Sequence, residues 1–220
     1  FFSKLFIKLR INRRIINFLA EKSYYANNHY DFSKKISQLI QEEKLTALDI
    51  GAQGGFNSDN FFPKKYESFF DAIMIEPNTQ EFEKIQKKYK YVINKGLWGS
   101  KIKKKFFILG NRVGSSSFFE PDKSTLPIHR INEKDYSNYD VTNTLEIDCN
   151  TLSSELKNIG VNKLDYLKID TQGSEFEILK GIENYRPLLI RTEVHINSMY
   201  KNAPEWSDVI NILKDLNYMA

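Results

Sequence analysis

Four places along the chain combine glycines, acids and a histidine at the ends of apolar runs. Thr46 to Ile50 is short and mostly apolar, and it closes on three glycines in Leu48-Asp49-Ile50-Gly51-Ala52-Gln53-Gly54-Gly55. A buried parallel strand that turns sharply beneath a ligand has this pattern. Glycine there permits positive φ and lets backbone approach bound atoms with no Cβ between them. Ala72-Ile73-Met74-Ile75 ends in Glu76-Pro77-Asn78, and an acid at the tip of the next strand can accept hydrogen bonds from two ribose hydroxyls. Lys168 and Asp170 are two residues apart, as are Glu193 and His195. The two-residue period of a strand puts each pair on one face. Such a set could bind a nucleoside-bearing cofactor beside a group that accepts a proton.

The glycine spacing narrows the choice of cofactor. A dinucleotide fingerprint needs G-x-G-x-x-G, its third glycine packing helix on strand. The order here is Gly51-x-x-Gly54-Gly55, with no glycine at the further spacing. A pyrophosphate cradle is therefore poorly supported, and a phosphate-free cofactor, S-adenosyl-L-methionine, fits better. The plain alternative is a glycine-rich turn in some other α/β protein. A nicotinamide-dependent oxidoreductase and a non-catalytic interaction module on the same scaffold are the competing functions.

The elements that must position these residues follow from periodicity. Phe82, Ile85 and Tyr89 mark a lysine-rich helix after Glu76, and Tyr91 to Asn94 reads as a third strand turning at Lys95-Gly96-Leu97. Phe61 to Phe70 reads as a helix broken or started at Pro63. Leu164 to Asp170 and a run from Leu188 to His195 are strands, with a helix carrying Ile178, Leu179 and Ile182 between them. Trp206, Val209, Ile210 and Leu213 predict a last helix entered through Pro204. Strand-helix alternation implies a doubly wound, mostly parallel α/β sheet. Lys105 to Leu109 and Thr144 to Ile147 interrupt it as a small antiparallel insertion, about residues 101–150. Between them Gly114-Ser115-Ser116-Ser117 opens a long polar stretch to Tyr139, a candidate substrate lid.

The 220 residues suit one catalytic domain, 45–220, with an N-terminal helical cap over 1–44. Hydrophobic residues make up 41% and charged residues 27%, an ordinary globular balance. The net charge is +4, but residues 1–14 alone carry +5, which leaves −1 for the rest (+4 less +5). A globally basic, nucleic-acid-binding body is thereby disfavoured. Basic residues opposite apolar stripes in residues 1–20 offer a peripheral membrane contact; a helix capping the domain is the simpler reading. Phe32, Ile36, Leu39 and Ile40 predict a further helix leading into the glycine-bearing strand. No apolar run approaches the roughly 18 residues of a membrane span. Cys149 stands alone, as a small buried apolar residue compatible with a reducing, cytoplasmic compartment. The chain opens on Phe1 and stops where one more strand is expected to start, so both ends are expected to continue.

Several of these motifs together resemble a known family. Leu48-Asp49-Ile50-Gly51-Ala52, Ile75-Glu76-Pro77-Asn78, Lys168-Ile169-Asp170-Thr171-Gln172-Gly173-Ser174-Glu175, Leu179-Lys180-Gly181, Glu193-Val194-His195 and Tyr200-Lys201-Asn202-Ala203-Pro204 resemble the FkbM-type S-adenosylmethionine-dependent methyltransferases. They occur in the family's order from about residue 46 to the C-terminus. Gln53 and Gly54 depart from it, since the family commonly has Asn and a bulky apolar residue there. The resemblance implies a class I methyltransferase (Rossmann-like) fold with a seven-stranded sheet. It also implies O-methylation of a hydroxyl on a saccharide, glycolipid or secondary metabolite.

In an open α/β sheet, ligands sit outside the carboxyl ends of the strands. Gly51, Glu76, Gly96, Asp170 and Glu193 all fall at predicted strand ends, so one crevice can collect them. Asp49, Gly51 and Gln53 are expected at the methionine part of the cofactor and Glu76 at its ribose. Pro77, Asn78, Gly96 and Leu97 are expected near the adenine edge, with Asn78 equally suited to cap a helix. An alcohol holds its proton with a pKa of about 16, as water does, and needs a base or a metal as it attacks. Asp170 and His195 are the candidates for base or substrate orienter. Glu193 could orient His195 or, with Asp170, hold a divalent cation. Lys168 either joins this set or forms a buried ion pair with one of the acids, and His195 could be a satisfied core imidazole. Base methylation in nucleic acid is disfavoured, because Asp170-Thr171-Gln172-Gly173 offers no aromatic surface for a flipped base.

Overall fold

Leu45 to Ile50 is mostly apolar and is buried at every position from Ala47 onward, as a strand covered on two sides must be. It forms β1 at the centre of the sheet. The computed structural model describes residues 44–219, so the helical cap, the Phe32–Ile40 helix and the membrane-contact stripes lie outside the described residues. Along the chain follow β2 (Phe70–Ile75), α1 (Thr79–Ile85), β3 (Tyr91–Ile93), β4 (Gly96–Leu97), β5 (Ile102–Leu109) and β6 (Val141–Asn150). Then come α2 (Leu152–Asn158), β7 (Tyr166–Ile169), α3 (Glu175–Lys180), β8 (Leu189–Thr192) and α4 (Trp206–Asp215).

Five strands make an all-parallel sheet in the order β3-β2-β1-β7-β8. Chain order runs outward in one direction from β1 and then in the other, so the topological switch point lies between β1 and β7. Alternate residues serve opposite faces. Leu48, Ile50, Ile73, Ile75, Leu167 and Ile169 pack against Leu152 and Leu156 of α2, Ile178 and Leu179 of α3, and Val209 and Leu213 of α4. Ala47, Met74 and Tyr166 face the other way, under Phe56, Phe62 and Ile85 of α1. Helices on both faces make the sheet doubly wound, as expected. Each fully buried Leu or Ile in these layers contributes about 1.5 to 3 kcal/mol relative to exposure.

The remaining three strands form a second sheet, β4-β6-β5. β5 and β6 are antiparallel over most of their length, from Ile102 opposite Cys149 to Leu109 opposite Val141, with an irregularity at Ile108 and Leu109. This is the predicted insertion, with both strands longer than the apolar runs alone indicate. Residues 110 to 140 between them have little regular structure but have their own core, because Leu126 and Tyr139 are buried with Leu109. Cys149 packs with Phe106 and Phe118, and burial pushes its thiol up to about 12.

Several sequence expectations need correction. Residues 61–70 hold a 3-10 helix at Lys64–Phe69 after Pro63, and Phe70 already belongs to β2. α1 ends at Ile85, so Tyr89 lies beyond the helix, although it still packs in the same cluster. Gly96-Leu97 is a short strand rather than a turn, because it pairs in parallel with Cys149 and Asn150. The main sheet has five strands among the described residues where seven were expected. No helix among the described residues is long and apolar enough to cross a membrane.

Candidate active site

At the switch point the ends of β1 and β7 meet at Gly51 and Asp170. The Gly51 N–H donates to the Ile75 carbonyl and the Asp170 N–H to the Ile50 carbonyl, each at 3.0 Å. Outside this junction lies a cavity of about 240 Å³. The end of β1 supplies Gly51 and Gln53 to its wall, and the end of β2 supplies Glu76, Pro77 and Asn78. β4 supplies Gly96 and Leu97, which the parallel pairing with β6 brings to the rim, and β7 supplies Lys168 and Asp170. These are nine of the residues the sequence marked.

Glu76 is buried and accepts the Asn78 N–H at 2.8 Å. Burial pushes its carboxyl up to about 7, against the pull of that N–H. Asn78 does cap α1, its side chain accepting the Gln80 N–H at 3.0 Å while the residue also lines the cavity.

Asp49 is not on the wall. It is fully buried beside Lys168, its pairing partner across β1 and β7, whose Nζ lies 3.2 Å from Asp49 Oδ1 and 3.7 Å from Asp170 Oδ2. Burial works against the Lys168 ammonium, but the two carboxylates outweigh it and hold the group above its ordinary range. Burial also pushes Asp49 up to about 6, Lys168 opposing, and its Oδ2 has no partner. The ion-pair reading of Lys168 therefore describes its contacts.

Glu193 and His195 border a second, more open cleft of about 420 Å³, which shares Gly114 and Gln172 with the first cavity. Gln172 forms the partition. Its backbone is left-handed (φ 59°), and its Nε2 donates to Glu193 at 2.6 Å and to Asp170 at 3.3 Å. Its Oε1 accepts from the Tyr200 hydroxyl at 3.0 Å, and its carbonyl accepts from the Ser117 hydroxyl at 2.7 Å. Burial, then the nearby Asp170, pushes Glu193 up to about 7. Burial, then His129, lowers His195, which is therefore a neutral imidazole at pH 7. His195 Nε2 is 3.7 Å from Glu193 Oε2, too long for a hydrogen bond, and has no partner. His195 is thus not a satisfied core imidazole. Among the described residues no cluster of three or more metal-ligating side chains is arranged to hold a cation.

A family model described as the methyltransferase FkbM domain matches residues 49–219. The chain belongs to the FkbM methyltransferase family. No curated protein and no solved structure matches it. The FkbM match begins at Asp49 and so takes in every wall residue of both cavities. The insertion supplies what strand ends alone do not show. Val113, Gly114 and Ser116 lie on the wall of the first cavity with Phe106 and Phe118, and Arg112 and Ser115 on that of the outer cleft. Only the Gly114-Ser115-Ser116-Ser117 run carried a sequence signal for these positions.

Proposed function

We propose that this FkbM-family methyltransferase uses S-adenosyl-L-methionine to methylate a hydroxyl of a saccharide, glycolipid or secondary metabolite. One observation carries the cofactor reading: the charge of the cavity wall. Four carboxylates line it (Asp59, Glu76, Glu81, Asp170) against two ammonium groups (Lys95, Lys168). Both ammonium groups are engaged, Lys95 by Glu155 at 2.9 Å and Lys168 by Asp49. Asp59 in turn pairs with Arg191 at 2.6 Å and Glu81 with Lys84, so among the described residues Glu76 and Asp170 are the wall acids left without a cation of their own. An acidic wall repels a pyrophosphate and suits a cofactor that carries a sulfonium and an ammonium. A nicotinamide dinucleotide is correspondingly disfavoured. At about 240 Å³ the cavity lies below the roughly 300–1,000 Å³ of most ligand pockets, so a nucleoside-sized group would fill it.

Glu76 would hold the ribose hydroxyls, with Pro77, Asn78, Gly96 and Leu97 around the base. Gly51, Gln53 and Lys168 would stand at the amino-acid end, with Asp49 buried behind Lys168 as its ion-pair partner. The bound cofactor supplies an electrophilic methyl group on sulfur. The chain's part is to place the acceptor hydroxyl and take its proton, and positioning contributes much of the rate of such a displacement. Glu193 and the unpartnered His195 Nε2 stand across Gln172 from the cofactor cavity and serve as base and orienter, with Asp170 beside them. A cytoplasmic location accords with the lone buried thiol Cys149.

Calorimetry with S-adenosylmethionine and S-adenosylhomocysteine tests the reading. Binding that Glu76→Ala removes, with none for nicotinamide dinucleotides, supports it. An absence of binding by either adenosyl compound sinks it. Retained binding without methyl transfer to any hydroxylated acceptor would favour the non-catalytic module.

A further inference from the structure

The cleft outside Gln172 has a chemical character of its own. Met199 is the single apolar side chain on its wall; Ser115, Gln172, Glu193, His195 and Arg112 supply the rest beside Gly114. Such a wall suits a polyol rather than an apolar polyketide, because its hydroxyl, amide, carboxylate and guanidinium groups can exchange hydrogen bonds to water for hydrogen bonds to hydroxyls. At one end stand the Glu193 carboxylate, which already accepts from Gln172, and the His195 ring, whose buried Nε2 has no partner.

At the other end stands Arg112. Its guanidinium lies 4.8 Å from the centre of the Tyr139 ring and donates through Nη1 to the Tyr139 hydroxyl. Tyr139 is itself buried in the core of the insertion, so the guanidinium has a fixed support. No carboxylate among the described residues lies within ion-pair distance of Arg112, although Glu193 shares its cleft. A held guanidinium with no acid is built to meet an oxyanion, because its fork matches carboxylate or phosphate with two parallel donors.

We propose that this cleft is the acceptor subsite and selects a polyol bearing an oxyanion group, carboxylate or phosphate. Arg112 takes the anion, and Glu193 and His195 face the hydroxyl to be methylated. The subsite's place in catalysis rests on the methyltransferase reading; its affinity for a hydroxylated anion does not.

The test uses the full chain, with and without saturating S-adenosylhomocysteine, titrated with D-glucuronate, D-glucose 6-phosphate and D-glucose. Binding is followed by calorimetry and by the His195 imidazole resonances. At least one of the two anions is expected to bind about ten-fold or more tighter than glucose, as one charge-assisted contact provides, and to shift His195. The tighter of the two identifies carboxylate or phosphate. Arg112→Gln is expected to abolish the preference and Arg112→Lys to retain part of it, both variants melting like the parent. Equal binding of glucose and the anions overturns the proposal. So does a preference unchanged in Arg112→Gln, or no binding of any of the three while S-adenosylhomocysteine binds. Arg112-dependent anion binding without any S-adenosylhomocysteine binding would instead remove the cofactor reading and leave the anion subsite standing.

Discussion

A Cβ on Gly51 would stand 1.9 Å from the carbonyl oxygen of Asp170, a residue 119 positions away that closes the neighbouring strand. Gly51 also has φ +76°, where a side chain is strained in any case. The ends of β1 and β7 approach so closely because the two strands pair in parallel, Ile50 opposite Ile169, and the first cavity opens beside them, where the sheet reverses its order. Gly51→Ala is therefore expected to cost more than 2 kcal/mol, from the left-handed backbone and the clash together. For a domain of this size that is on the order of 5 °C or more in Tm. Thermal unfolding followed by circular dichroism measures it, and a variant as stable as the parent would mean the two strand ends are not packed as described.

Glu76 couples function to stability in opposite directions. Its folded carboxyl titrates near 7 against an ordinary 4.5, so the folded chain holds a proton that the unfolded chain releases. The associated stability is fully present below about pH 4.5 and is lost as pH rises towards 7. The difference corresponds to about 3 kcal/mol. Glu76→Gln should remove the loss, making the variant more stable than the parent at pH 8 but not at pH 4, while adenosyl-cofactor binding is lost. Denaturant melts at the two pH values give the answer. A Glu76→Gln stability curve parallel to the parent's would show that the carboxyl is not buried as charge.

The same proton marks cofactor binding. Ribose hydroxyls that donate to Glu76 favour its ionised form, so binding should release a proton. Affinity should then fall about ten-fold per pH unit below pH 7. Calorimetry in buffers of different ionisation enthalpy reads the released proton directly, and a buffer-independent enthalpy at pH 6.5 would rule the contact out.

Lys168 and Asp49 should behave as a unit. Removing the ammonium with Lys168→Met leaves Asp49 buried and uncompensated, with Asp170 beside it. Breaking one side of a buried pair costs about 3 to 5 kcal/mol. The double change Asp49→Asn with Lys168→Met should recover most of that, because no lone charge remains. A double-mutant cycle in denaturant checks it, and additive losses would mean the two side chains do not interact.

What the sequence shows and hides divides by distance along the chain. Gly51, Glu76 and Asp170 are legible because each ends a local apolar run, and a parallel sheet gathers strand ends by construction. Arg112 is not, and Ser115 and Gln172 show only as parts of a polar run and a strand-end motif, because the walls they form depend on residues from the insertion folding back onto the β7 end. The hydroxyl of Ser117 reaching the Gln172 carbonyl spans 55 positions, and no periodicity announces it. Gly96-Leu97 reads as a turn for the same reason, since its partners Cys149 and Asn150 lie some fifty residues later. Tyr89 misleads in the other direction: its apolar spacing continues the helical stripe, but its burial comes from packing after the helix has ended.

Gln172 is the residue on which the proton chemistry should turn. Its amide donates to the Glu193 carboxylate at 2.6 Å and so favours the charged form, while burial and Asp170 push the same group up to about 7. Gln172→Leu removes the donor, so the Glu193 titration should move to higher pH, and the acidic limb of any methyl-transfer profile should move with it. Carboxyl ¹³C spectra of glutamate-labelled protein follow the titration without an acceptor substrate. Gln172→Glu adds a third carboxylate beside Asp170 and Glu193 and should shift it further in the same direction, since like charges disfavour ionisation. The left-handed backbone at position 172 is common to all three forms, and leucine pays more for it than glutamine does. The melting temperature of Gln172→Leu is therefore expected to fall modestly, and that fall is independent of pH. A Glu193 titration that stays in place in both variants would show that the partition between the two cavities does not control this carboxyl.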